Sequence, residues 1–209
     1  MDLHSDSFAN RARIPAEFAF GVAGDAANPI VHSGNRNPHL AWSGVPEGTR
    51  SFALLCIDPD VPTVREVVNR ADVSVPHDQP RTDFVHWAMV DIPADAREIA
   101  AGECSDGITA HGKRAPSGPA GSRQGLNDYT GYFADDPDMR GDWLGYDGPC
   151  PPFNDERMHR YFFRLFALSA PQLAVPARFG APDVFRAMHG LVLAEAALHG
   201  TYTTNRALV

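Results

Sequence analysis

The chain has 209 residues, 44% of them hydrophobic, which is enough for one domain over residues 1–209 to bury most of its apolar surface without disulfides or metal staples. A formal charge of -8, a pI near 5.5 and no basic run longer than Lys113-Arg114 argue against a general nucleic-acid or anionic-membrane surface, while leaving room for a locally basic pocket. Cys56, Cys104 and Cys150 form neither a disulfide framework nor a Cys-x-x-Cys knuckle, and no segment has signal-peptide or membrane-span character, so a reducing, cytoplasmic setting without stable membrane insertion is expected.

Along the chain, Ile14 to Phe20 alternates weakly and predicts an edge strand, and a Gly/Asn/Pro-rich loop then runs into a short strand at Leu40 to Trp42. Ser51 to Asp58 is apolar on both faces and reads as a strand buried within the sheet or between layers. It is expected to end at Asp58-Pro59-Asp60-Val61-Pro62, where two carboxylates sit in a stiff turn; their plainest role is to cap nearby backbone N–H groups. Thr63 to Asp83 has the polarity of an insertion, with one short helical turn around Val64 to Arg70 and no assigned role. In the strand Phe84 to Ile92, a period of two places His86 with Phe84, Ala88 and Val90 and sends Trp87 to the other face. A lone histidine there is more often a satisfied core residue than a functional one.

Glu98 to Arg123 has loop composition and contains no phosphate-binding glycine fingerprint; Gln124 to Phe133 predicts a short strand, and Ala134 to Leu144 acidic turns. From Tyr146 to Phe163 the chain first passes through Gly148, Pro149, Pro151 and Pro152, which exclude helix and central strand, and then becomes a strand with His159, Tyr161, Phe163 and Leu165 on one face. Titratable groups beside a rigid loop have the character of a pocket lip. Arg160 and Arg164 share the opposite face, where solvated or ion-paired arginines are the ordinary expectation. After a proline-rich connector, Val184, Ala187, Met188, Leu191, Ala194 and Leu198 follow helical spacing and predict a helix from Asp183 to His199, stopped by Gly200, with a last strand at Thr201 to Thr204.

Three strands thus end in loops that carry polar groups. The combination D-P-D-V-P, H-W, G-P-C-P-P and H-R-Y resembles the phosphatidylethanolamine-binding protein family, in particular its bacterial Raf-kinase-inhibitor-like branch. I-P-A-E-F, N-P-H-L-A-W, N-D-Y-T-G and G-T-Y extend the resemblance over nearly the whole chain. It implies a mainly β fold, with a large antiparallel sheet packed on a smaller one in Greek-key fashion and a helix near the C-terminus. It also implies a non-catalytic pocket for phosphate, phosphorylethanolamine or a similar small anion. By position within the motifs, that pocket would use Asp58, Asp60, Pro62, His86, Tyr146, Gly148, Cys150, Pro152, His159 and Tyr161.

The residues support such a pocket on their own terms. Imidazole N–H groups, a phenol O–H and turn amides supply convergent donors to an oxyanion without arginine. The aspartates would each accept from one histidine nitrogen and aim the other at the ligand. At least one of His86 and His159 would then be protonated in the complex, and affinity would fall as pH rises. No cofactor and no resident metal are expected. The alternatives are a metal-dependent hydrolase using the Asp/His pocket, a nucleophilic hydrolase with Cys150 beside His159, and a protein-interaction module directed at a kinase or protease. A homodimer is a candidate assembly; no sequence feature names a partner.

Overall fold

The computed structural model describes residues 1–209. Its strands are β1 (Asp2–His4), β2 (Gly21–Ala23), β3 (Ile30–His32), β4 (Leu40–Ser43), β5 (Ser51–Pro62), β6 (Arg81–Pro93), β7 (Glu98–Ile99), β8 (Arg123–Gln124), β9 (His159–Leu168) and β10 (Val192–Tyr202). Two short helices join them, α1 (Tyr129–Tyr132) and α2 (Ala181–Ala187). The main sheet is antiparallel in the order β10-β9-β5-β6-β8, with smaller sheets β1-β4-β7 and β2-β3. Within it, β8-β6-β5-β9 is a Greek key, because β9 returns by a long connection to lie beside β5.

The two-sided apolar pattern of β5 follows from burial on both faces. On one face Phe52, Leu54 and Cys56 join Trp87, Met89, Phe163 and Leu165 against Leu40, Trp42 and Ile99 of the three-stranded sheet. On the other, Ala53, Leu55 and Ile57 lie under Leu173, Phe179, Ala181 and Val184 of the connector and α2. This is the expected large sheet packed on a smaller one, with one helix covering the outer face.

Several local expectations are corrected. β5 does not stop at Asp58 but continues to Pro62, because its pairing with β6 slips between Asp58 and Val61 and leaves Pro59 and Asp60 outside the ladder, where a missing N–H costs nothing. A second slip pairs Cys56 with Trp87 and Ile57 with Val85, so His86 bulges out of the ladder. The bulge turns His86 and Trp87 to the same side: Trp87 packs on Tyr146, and His86 on Tyr161. The Ile14 to Phe20 segment is no strand: a single bridge to Thr201 lies just before it at Arg13, and Ala16–Phe18 forms a 3-10 turn. Gln124 closes β8, and the rest of the segment to Phe133 contains α1 instead of a strand.

The largest correction is at the C-terminus. The helix ends at Ala187, a turn follows with Gly190 at φ +77, and Val192–Tyr202 is the edge strand β10. Ala196, Leu198, Gly200 and Tyr202 alternate inward. The helix-favouring Leu, Ala and Glu residues yield to ten cross-strand partners on β9 and to a left-handed glycine that only a chain reversal requires. Gly200 is therefore not a helix stop. A Cβ built there would lie 2.5 Å from Ile14 Cγ1 and 2.9 Å from Phe8 Cε2, both buried, so the glycine admits the crossing N-terminal segment. Gly200→Ala should destabilise the fold by about 1–3 kcal/mol through overpacking; an unchanged urea midpoint would show that the crossing is loose.

Candidate functional site

A cavity of about 510 Å³ opens where β5, β6 and β9 meet the proline-rich loop before β9. Of the residues expected to form the pocket, Asp58, Pro62, His86, Cys150, Pro152, His159 and Tyr161 line it, so the two imidazoles share one hollow. Asp60, Tyr146 and Gly148 do not. Tyr146 is fully buried behind the cavity and donates its hydroxyl to the Phe18 carbonyl at 2.6 Å. Gly148 is where two backbones touch: an added Cβ would lie 2.1 Å from the Phe18 carbonyl oxygen, and its own N–H and C=O are taken by Asn35 and Tyr129.

Asp60 faces away. Its carboxylate receives Arg160 Nε at 2.8 Å and Nη2 at 2.9 Å, Arg157 Nη1 at 3.2 Å and the Arg160 backbone N–H at 3.0 Å. The β5–β9 ladder ends at Ile57–Phe162, so the side chain continues where the backbone pairing stops. Burial would raise the Asp60 carboxyl pKa, but the Arg160 guanidinium holds it below the usual range.

The two histidines have different fates. His159 Nδ1 donates to Asp58 Oδ2 at 2.7 Å and Nε2 to Asp155 Oδ2 at 3.0 Å, so neither nitrogen is left for a ligand. This corrects the expectation that each aspartate would orient one histidine and free its other nitrogen. Burial alone would lower the His159 pKa, yet the Asp58 and Asp155 carboxylates raise it to about 9, and the ring is an imidazolium at neutral pH. Arg81 completes the group, with Nη1 2.5 Å and Nη2 3.0 Å from the Asp155 carboxylate. Two carboxylates thus meet two cations, and the buried assembly is neutral overall.

His86 is held by a backbone group. Its Nδ1 donates to the Asp147 carbonyl at 2.7 Å, which fixes the tautomer and leaves Nε2 as the nitrogen available to a ligand. Burial pushes its pKa below the ordinary value, so the free ring is neutral at pH 7. The peptide beneath it is anchored: the buried Asp147 carboxylate accepts from Lys113 Nζ at 2.6 Å, Asn127 Nδ2 at 2.7 Å and Asn35 Nδ2 at 2.8 Å. Lys113 is the single lysine of the chain.

The Tyr161 hydroxyl completes the polar floor. It is fully buried on a side chain that lines the cavity, and although the Asp58 carboxylate lies close enough to act on it, no hydrogen bond of good geometry forms. Burial, with the Asp58 carboxylate near, pushes the phenol well above its ordinary pKa and keeps it a donor. The Cys150 thiol is likewise pushed up to about 12 by burial, so it is no thiolate. With His159 lacking a lone pair, the Cys150–His159 pairing has no base, and no group of three or more His, Cys, Asp or Glu side chains converges at metal-holding distance. Nothing in this geometry favours either hydrolase alternative.

Sequence reasoning missed Asp155, Arg81, Asp147 and Lys113. Asp155 and Asp147 lie within the proline-rich stretch that drew attention, but turn aspartates are common; Arg81 and Lys113 are recognisable only through their partners 74 and 34 residues away.

A family profile described as phosphatidylethanolamine-binding protein matches residues 4–203. A UPF0098 protein of Methanothermobacter thermautotrophicus is 34% identical over 202 residues, spanning 97% of this chain and 98% of that one. The UPF0098 protein YbhB of Escherichia coli is 28% identical, spanning 97% and 100%. The crystal structure of E. coli YbcL, described as a new member of the mammalian PEBP family, aligns with a TM-score of 0.67 at 25% identity over 97% of both chains.

The His159 clamp predicts a pH-dependent stability. Its folded pKa of about 9 lies above the ordinary 6.5, so between these values the folded state binds the extra proton. The contribution is fully present below pH 6.5 and is lost as pH rises through 9, a fall of about 3 kcal/mol at 1.36 kcal/mol per pKa unit. Urea midpoints measured across this window should decline; a flat or rising trend would contradict the clamp.

Proposed function

Because the chain belongs to the phosphatidylethanolamine-binding protein family, and because its cavity floor has the polarity described above, we propose that it binds a small anion of the phosphoryl class, as free phosphate or as a headgroup such as phosphorylethanolamine, without transforming it. The observation that carries this reading is the Tyr161 hydroxyl, a buried donor without a hydrogen bond, on a side chain that lines the same hollow as His86. Leaving a hydroxyl unpaired in the interior costs about 1–3 kcal/mol, and an oxyanion removes that cost on binding.

Asp58 does not repel such a ligand in this reading. Its Oδ2 receives the His159 imidazolium and its Oδ1 the Asp60 backbone N–H at 2.8 Å, so the ligand meets a neutralised carboxylate. His86 then supplies the charge: a neutral ring offers only a lone pair at Nε2, so the anion is bound together with a proton. His159 contributes its field and the position of Asp58, not an N–H.

Tyr161→Phe separates binding from structure. The hydroxyl has no partner to lose in the free protein, so stability should hold or rise slightly, while phosphate affinity measured by calorimetry should fall about tenfold. With sulfate, which does not titrate near neutrality, affinity should weaken as pH rises from about 5 to 8, with proton uptake visible as a dependence of the heat on buffer. Unchanged phosphate affinity in Tyr161→Phe together with a flat sulfate profile would refute the reading.

A further inference from the structure

The cavity is much larger than an oxyanion needs. Volumes of about 300–1,000 Å³ are those of sites for drug-sized ligands, whereas a phosphoryl group occupies only the floor of these 510 Å³. Above the floor the walls are rings: Phe84 and Tyr132 meet edge to face at 6.5 Å and 77°, and Tyr129 and Tyr132 at 6.1 Å and 85°. Tyr129 itself is stacked on Phe20 at 4.7 Å and on Phe133 at 5.5 Å, so these rings form one continuous wall of the cavity.

Another wall comes from the segment between β5 and β6, which the sequence presents as an insertion without a role. It places Arg65, Val68 and Asn69 on the cavity. It is a fixed wall and not a loose flap. Asn154 donates to the carbonyls of Val67 and Val73 at 2.7 and 2.8 Å, and Asn69 N–H donates back to Asn154 Oδ1 at 2.9 Å. Val75 bridges to Asp155, and Arg81 Nη2 donates to the Pro76 carbonyl at 2.8 Å, so the wall is tied to the same carboxylate that clamps His159. Tyr132 remains 47% exposed at the mouth, its ring braced edge to face by Phe84, Tyr129 and Phe133 and its outer part open to solvent.

We propose that the ligand is an organic phosphate whose ester group is a flat aromatic ring, with the phosphoryl group on Tyr161 and His86 and the ring between Tyr132 and Phe84 on one side and Val68 on the other. This rests on the anion reading above and adds the class of ligand. Aromatic walls set edge to face favour a planar group over a flexible one, and the Arg65 guanidinium at the rim can lie against a ring face or meet a further negative charge. The insertion is then a specificity wall, present because the ring needs a second side to pack on.

Calorimetric titration of the full chain with 1-naphthyl phosphate, octyl phosphate and inorganic phosphate tests this. The naphthyl ester should bind at least about tenfold tighter than phosphate and tighter than the octyl ester, and Tyr132→Ala should abolish most of that advantage while leaving phosphate affinity unchanged. Equal affinity for naphthyl phosphate and phosphate, an octyl ester that binds tighter than the naphthyl one, or an advantage that survives Tyr132→Ala overturns the aromatic assignment and leaves the anion reading in place. Failure of all three to bind overturns both. Since Tyr132 is half exposed and outside the buried core, its replacement tests the slot without testing the fold.

Discussion

The site depends on one charged ring held between two carboxylates. His159 at the start of β9 bonds Asp58 of β5 through one nitrogen and Asp155 of the preceding loop through the other, and Arg81 at the start of β6 bonds Asp155 in turn. Three strand ends and a loop with three prolines are thereby fixed relative to one another. Charges this deeply buried are tolerated only in balance, and removing any one member would leave an uncompensated ion, a loss on the order of 3–5 kcal/mol. The clamp therefore sets the geometry of the cavity floor before any ligand arrives.

A second network works beneath the other histidine. Asp147 takes Lys113, Asn35 and Asn127 with its carboxylate while its carbonyl orients His86. Burial outweighs the field of Asp58 and keeps His86 neutral, whereas hydrogen bonds to two carboxylates keep the buried His159 charged. The same side chain in the same hollow thus does two jobs: one imidazole is a permanent strut, the other a group whose proton can arrive with a ligand. The environment decides between them, since desolvation lowers a histidine pKa and adjacent carboxylates raise it.

Much of this was legible in the chain. The two-sided apolar run of β5 and the alternation from His159 to Leu165 describe strands whose faces the structure fills as those patterns require. The motifs at Asp58, His86 and the Gly148 to His159 loop end up around one cavity. Other features were hidden for physical reasons. A bulge at His86 breaks the period of two, and no residue type announces it. The segment from Val192 to Leu198 satisfies both helical and strand spacing, and edge pairing with β9 outweighs helix propensity there. Asp60 stands two residues from Asp58, a spacing that puts both on one face of a regular strand, but it points to the other side, because the ladder slips after Asp58. Salt-bridge partners such as Arg81 and Lys113 are selected by three-dimensional proximity, which no local pattern encodes.

The central claim is the division of labour between the two imidazoles. Nitrogen-15 NMR of the histidine rings, with inorganic phosphate titrated in at pH 7, tests it directly. The account requires His159 to show two protonated, hydrogen-bonded ring nitrogens throughout, and His86 to pass from a neutral ring protonated at Nδ1 to a cation as phosphate is added. A neutral His159 in the free protein, or a His86 ring whose nitrogen shifts do not move while phosphate binds, would contradict it.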